Sequence, residues 1–289
     1  MPNLRRDMMK GMGSADRITG ECNDAASFGG VQRFSGQVAI VTGSTADPSI
    51  GRSCAFRLAR EGASVVINGR DEDRVASTEG ALRAEGFDVV GVVGSMDNEP
   101  AVALLTDRAM DAFGRIDLIV STLGGAPYPL SFDAISESQL LETIRLNTWP
   151  AVALIRAALE RGLGDNAGSV VTISSGSPRK TTSAMVAYAS AKAALNAMTR
   201  TIAADLAGKG VRVNAVSPGL VRTTATRSIW EADAGVAAGS SLPLGRLTEA
   251  EHIAAAVCFL LSDEARQITG ITLDVDGGNH LSSGWTPIR

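Results

Sequence analysis

From Gln37 onward, apolar residues gather into short unbroken runs, and longer stretches with helical spacing lie between them. VAIVTG is the first run; a loop and then IGRSCAFRLAREG follow, the latter with apolar positions at helical intervals. ASVVING, DVVGVVG, IDLIVSTLGG, GSVVTISS, RVNAVSPG and ITLDVDGG repeat the apolar pattern, each after a helical stretch. The helix DEDRVASTEGALRAEG ends on glycine, and EAEHIAAAVCFLLSDEA reads as the last helix. Strands without polar alternation are buried on both faces, which a parallel sheet between helix layers requires. Seven such strands predict an α/β fold, a doubly wound parallel sheet of Rossmann-like form. No repeat or low-complexity linker divides 36–289, so one domain is expected there.

Residues 1–35 lack this periodicity and mix Arg5, Arg6, Lys10, Arg17 and Arg33 with Asp7, Asp16, Glu21 and Asp24. They read as an N-terminal extension, either a mobile segment or an upstream start. Without an apolar central run they are not a secretory signal, and their acids argue against a transit peptide. No apolar run approaches the ~18 residues of a membrane span. A net charge of −4 without a basic cluster argues against nucleic acid as a partner. Cys22, Cys54 and Cys258 are odd in number, far apart and without metal-ligand spacing, so a reducing, cytoplasmic setting is expected. His252 and His280 are the only histidines, which leaves little for a zinc site or a histidine-based triad. His252, within a helical run, reads as a surface residue.

Chemistry concentrates in AYASAKAALNAMTRTIAADL, where Tyr188 and Lys192 stand one helical turn apart on one face. An ammonium beside a phenol favours the phenolate and lowers a pKa that starts near ~10. A tyrosine so tuned can donate or accept a proton near neutral pH. Ser175 lies thirteen residues upstream, at the end of a buried strand. Its hydroxyl can hydrogen-bond the same substrate oxygen that the tyrosine protonates.

The first strand runs through Thr42-Gly43-Ser44-Thr45-Ala46-Asp47-Pro48-Ser49-Ile50-Gly51 into a helix. Backbone N–H groups around Gly43, Ser44, Ser49, Ile50 and Gly51, aided by the helix dipole, suit a pyrophosphate. The same pattern also fits an ordinary turn between strand and helix. Cofactor choice is read at the end of the second strand, Asn68-Gly69-Arg70-Asp71. No carboxylate is there to bind a ribose 2′-hydroxyl; Gly69 leaves room and Arg70 supplies a cation for a 2′-phosphate. NADP(H) is therefore expected ahead of NAD(H), with Asp71 as the cap of the next helix.

Together these residues resemble the short-chain dehydrogenase/reductase family, over about residues 35–280. The resemblance rests on Thr42-Gly43 with Gly51, Asp97, Asn147, Ser175, Tyr188, Lys192, and Ser217-Pro218-Gly219 with Thr223. The segment from LPLGRLTEAEH to ITLDVDGG looks much like that of 3-oxoacyl-carrier-protein reductases and their relatives. It implies Tyr188 as acid/base, Lys192 as its pKa-lowering partner and ribose ligand, and Ser175 orienting the substrate oxygen. It further implies that Asn147 anchors a water linking Lys192 to solvent and that Asp97 bonds the adenine. Gly124, Pro218, Gly219 and Thr223 would then border the cofactor.

Two departures lean toward the divergent enoyl-carrier-protein reductases. The glycine loop is two residues longer than the commonest form, with Ser49 at its middle-glycine position. Ser121-Thr122-Leu123-Gly124 replaces the usual Asn-Asn-Ala-Gly. Those enzymes space tyrosine and lysine more widely, so the short spacing and Ser175 return the reading to carbonyl/alcohol chemistry. The expectation is an NADPH-dependent ketoreductase, a reversible alcohol dehydrogenase that needs no metal, acting on a small carbonyl or alcohol molecule. An enoyl reductase and a non-catalytic dinucleotide-binding protein are its rivals. A lid, Leu220–Leu244, and the loop Gly125–Phe132 are expected to line the substrate pocket, and Trp230 is expected either to cover the substrate, the favoured use, or to anchor the loop. Alanines on the two long helices around Glu142–Arg161 and Ala187–Leu206, with the resemblance, predict a homotetramer.

Overall fold

A computed structural model describes residues 32–180 and 183–281. In chain order its elements begin with β1 (Val38–Val41), α1 (Ile50–Arg60), β2 (Ser64–Gly69), α2 (Glu72–Ala84), β3 (Val89–Val93) and α3 (Glu99–Phe113). Next come β4 (Leu118–Ser121), α4 (Glu137–Leu159), β5 (Ser169–Ile173), α5 (Val186–Leu206) and β6 (Arg212–Pro218). The remainder is β7 (Val221–Arg222), α6 (Arg227–Trp230), α7 (Asp233–Ser241), β8 (Thr248–Glu249), α8 (Ala250–Leu261) and β9 (Thr272–Val275).

All seven strands of the main sheet are parallel, in the order β3-β2-β1-β4-β5-β6-β9. The apolar runs therefore become strands of one doubly wound sheet, as their lack of alternation requires. Every residue of β1, β4 and β5 is buried. Chain direction across the sheet reverses between β1 and β4, which opens a crevice at their carboxyl ends. At the opposite end the buried Asp117 carboxylate accepts the Val38 N–H at 2.8 Å and pairs with Arg115 at 2.7 Å. That bond joins the starts of the two central strands. A short parallel pair, β7 with β8, lies in the segment that links β6 to α8.

Helix starts follow the side chains that suit them. Ser49 accepts the Arg52 N–H at the head of α1, and Asp71 accepts the Arg74 N–H at the head of α2, as expected of Asp71. His252 does more than sit on a surface: its Nδ1 accepts the Glu249 N–H at 3.0 Å and caps α8.

The folded body begins earlier than residue 36. Phe34 is fully buried, its N–H bonds the Glu61 carbonyl at 2.9 Å, and Arg33 pairs with Glu61 at 2.6 Å. Phe34 packs in the same core as Cys54, Leu58 and Ile253, so Gln32–Ser35 belong with the domain. The earlier part of the extension, with Cys22, lies outside the described residues. Cys54 and Cys258 are free and buried, and burial pushes the Cys54 thiol up to about 12. Both act as small apolar core residues. Among the described residues no helix is long and apolar enough to cross a membrane.

Candidate active site

The loop after β1 is pulled tight by contacts that only glycine permits. Gly43 has φ +60°, and a Cβ there would lie 2.5 Å from Thr122 Oγ1. A Cβ on Gly51 would lie 2.5 Å from the Gly43 carbonyl oxygen, so the first turn of α1 rests directly on the loop. A cleft of about 780 Å³ results, and of the expected cofactor residues Gly43, Ser49, Ile50, Gly51, Arg70, Asp97, Gly124 and Thr223 line it.

Ser44 does not. It is fully buried, its N–H donates to the Asn68 carbonyl at 3.0 Å and its hydroxyl to the Val41 carbonyl at 2.9 Å. The Asn68 N–H in turn donates to Ser44 Oγ at 3.1 Å. Ser44 thus spends its polar groups on joining the ends of β1 and β2 and is no phosphate ligand. Ser49 lines the cleft, but its hydroxyl is engaged as the α1 cap.

The space beside Gly69 is not vacant either. A Cβ there would lie 2.3 Å from Thr45 Oγ1 and 2.8 Å from Thr45 Cγ2. Any side chain at 69, a ribose-binding carboxylate included, would collide with Thr45. Thr45 and Arg74 also line the cleft and were not singled out from sequence, although Arg74 stands in the first turn of α2 after Arg70. Arg70 is exposed. A hydrogen bond from Ser95 holds the Asp97 carboxyl below its ordinary value, helped by the charges of Arg145 and Arg70.

The other expected residues form a second group that meets the cleft at Gly124. A Cβ on Gly124, at φ +128°, would lie 2.2 Å from Asn147 Oδ1 and 2.9 Å from Lys192 Nζ. Only glycine fits between them. Lys192 is 3% exposed. Its ammonium donates to the Ile173 carbonyl at 2.9 Å and the Leu123 carbonyl at 3.4 Å. Burial pulls its pKa down to about 8. Asn147 accepts the Gly125 N–H at 3.0 Å and donates to the carbonyls of Gly125 and Thr143, each at 2.8 Å. Its amide therefore staples the Gly124-Gly125 backbone against Lys192.

Tyr188 is half-buried one turn before Lys192, and the ammonium lies 5.8 Å from its ring centre. Its pKa runs opposite to the sequence expectation. Burial raises it, and the Ser175 hydroxyl lowers it by hydrogen bonding. The lysine is occupied by main-chain carbonyls and does not reverse the effect of burial. Ser175 is itself fixed by Ser177, whose N–H it accepts at 3.1 Å and whose hydroxyl it meets at 3.0 Å.

Pro218 and Gly219 sit beside this group. The Pro218 carbonyl accepts the Gly176 N–H at 3.0 Å, next to Ser175. A Cβ on Gly219 would lie 3.0 Å from the Cβ of Asp276. Asp276, missed from sequence, is buried and accepts the backbone N–H groups of Gly278 and His280, each at 2.9 Å. Burial pushes its carboxyl up, but bonds from His280 and Gly278 outweigh that and hold it low. Trp230 donates its indole N–H to the Thr223 carbonyl at 3.0 Å, with Arg222 over its ring. This bond anchors the ring within the lid, one of the two uses expected of it. In the neighbouring loop Tyr128 donates to Glu142 at 2.7 Å, and Phe132 is exposed.

Comparison with known proteins identifies the family and the fold. Residues 43–280 match a family described as "Enoyl-(Acyl carrier protein) reductase". The chain is 37% identical over 254 residues to tropinone reductase-like 3 of Erythroxylum coca, covering 86% of this chain and 94% of that protein. A short-chain type dehydrogenase/reductase from Mycobacterium ulcerans superposes with a TM-score of 0.81 at 30% identity, over 87% of this chain and 92% of the other. A 7α-hydroxysteroid dehydrogenase complexed with NADH and 7-oxo glycochenodeoxycholic acid gives 0.79 at 28% identity, over 86% and 95%.

Proposed function

The chain belongs to the short-chain dehydrogenase/reductase family of oxidoreductases, and from that premise we propose an NADPH-dependent reductase that converts a ketone to an alcohol, reversibly. One observation carries the reading: a half-buried phenol, Tyr188, touched by the Ser175 hydroxyl and one turn from the buried Lys192 ammonium.

The residues of the cleft suit a dinucleotide. Its volume falls within the range of cofactor pockets, the Gly43–Gly51 contact lets backbone approach a pyrophosphate, and the N-terminus of α1 favours an anion. Gly43, Ile50 and Gly51 would hold the pyrophosphate, Asp97 the adenine, and Gly124, Pro218, Gly219 and Thr223 the nicotinamide end. NADPH, when bound, supplies the hydride.

The Tyr188 phenol, whose pKa burial raises further, is protonated near neutral pH and is ready as a proton donor to a carbonyl oxygen. Ser175 can donate to the same oxygen as negative charge develops there. Lys192, with a pKa of about 8, exchanges protons within the working range and can restore the phenol's proton. Asn147 keeps the Gly124-Gly125 backbone in place beside that ammonium.

NADPH is proposed over NADH because Thr45 excludes a carboxylate at Gly69 while Arg70 offers a cation. The NADH in the 7α-hydroxysteroid dehydrogenase makes NADH the reading to test against. The description of the matching family likewise makes enoyl reduction the alternative reaction. The tyrosine–lysine spacing and Ser175 support the carbonyl.

Tyr188→Phe should fold and bind cofactor but lose about 10²–10⁴-fold in kcat on a ketone found by screening. Near wild-type turnover would reject Tyr188 as the acid, and turnover of enoyl compounds alone would replace the reaction. Arg70→Ala should raise KM for NADPH roughly tenfold, the scale of one charge-assisted hydrogen bond, and leave KM for NADH unaltered. A wild-type protein that prefers NADH would contradict the cofactor assignment. For the assembly we propose a homotetramer built on the exposed sides of α4 and α5, where Leu141, Val186 and Met198 are uncovered. Light scattering should give four chains at micromolar concentration; a monomer would reject it.

A further inference from the structure

Asp47 and Pro48 belong to the lengthened glycine loop, between Ala46 and Ser49. Thr224 lies early in the lid, between Thr223 and Ala225. The Thr224 hydroxyl donates to the carbonyls of Asp47 at 2.8 Å and Pro48 at 3.1 Å. Its N–H also donates to the Pro48 carbonyl, at 2.9 Å. On the loop side Ala46 and Ser49 line the 780 Å³ cleft, and on the lid side Thr223 and Ala225 do so. The bonded residues thus join the two rims of the cleft. Asp47 and Thr224 face a second cavity of about 430 Å³, so the joint forms a wall between two spaces.

Both ends of this joint are braced. The Asp47 carboxylate pairs with Arg52 at 3.3 Å. On the lid side Trp230 holds the Thr223 carbonyl at 3.0 Å, and the hydroxyls of Thr223 and Thr226 lie 3.0 Å apart. Thr224 itself is exposed and supports no core packing. Its polar bonds are what it contributes.

We infer that Thr224 is a positioning residue that ties the lid to the phosphate loop across the cofactor cleft, so that a dinucleotide enters and leaves beneath a bridge that must open. The inference rests on the reading of the cleft as a dinucleotide site. A bridge that must open for passage in both directions slows association and dissociation alike. Loosening it therefore speeds both and alters Kd little. A residue that merely touches the bound ligand changes dissociation, and one that merely supports the fold changes the melting temperature.

Stopped-flow binding of NADPH and of NADH to the full chain separates these cases, with wild type, Thr224→Val, Thr224→Ala and Thr224→Ser compared. Valine and alanine remove the hydroxyl donor while leaving the backbone N–H on the Pro48 carbonyl, and serine keeps both. The expected result is a two- to tenfold rise, roughly, in both rate constants for Thr224→Val and Thr224→Ala, the scale of one net hydrogen bond. Kd should stay within about twofold, and Thr224→Ser should match wild type. Unchanged rates in both hydroxyl-free variants would overturn the inference. So would faster dissociation alone, or a serine variant that behaves like valine. Failure of the wild type to bind either dinucleotide would overturn the reading of the cleft and the bridge with it.

Discussion

A single buried ammonium sets the terms for the catalytic end of this protein. Taking a charge out of water costs several kcal/mol unless hydrogen bonds replace the lost solvent. Lys192 finds that replacement in the carbonyls of Ile173, the last residue of β5, and Leu123, just past the adjacent strand β4. The lysine reaches them because Gly124 presents no side chain and Asn147 pins the backbone beside it. Truncating Asn147 or adding a side chain at 124 would disturb the same ammonium. The depressed lysine pKa records how incomplete the compensation is.

The cofactor end obeys a related constraint, the close approach of backbone to backbone. Gly51 lets α1 begin on top of Gly43, and Gly43 lets the loop begin against Thr122. Thr45 then fills the gap left by Gly69, so five small residues set the shape of the cleft wall. Across the opening, the Thr224 contacts with Asp47 and Pro48 join this wall to the lid. Small residues bring the walls together, and polar contacts hold them.

Much of this was legible in the sequence, for local reasons. Unbroken apolar runs separated by helical stretches can satisfy their backbone and bury their faces in few ways, and the doubly wound sheet is one. The Asp71 cap and the one-turn spacing of Tyr188 and Lys192 are properties of neighbours along the chain. What was not legible depends on partners far away in sequence. Ser44 turns inward because Asn68, twenty-four residues on, offers both a carbonyl and an N–H. Gly69 reads as open space until Thr45 is seen to fill it. Spacing places the lysine on the tyrosine's side of α5, but the carbonyls that hold its ammonium come from β5 and the segment after β4. Trp230 reads as a cover or an anchor, and only the fold shows its N–H on the Thr223 carbonyl.

Burial, opposed by Ser175, governs the Tyr188 proton, with Lys192 held by the main chain. Carbon-13 NMR titration of tyrosine-labelled protein tests it directly, because Tyr128 and Tyr188 are the only tyrosines and Tyr128→Phe leaves one signal. In the free protein that signal should titrate above the ordinary phenol value of ~10, and Ser175→Ala should move it higher still. A titration below ~10, insensitive to Ser175→Ala, would show that the lysine charge controls the phenol and would contradict the account.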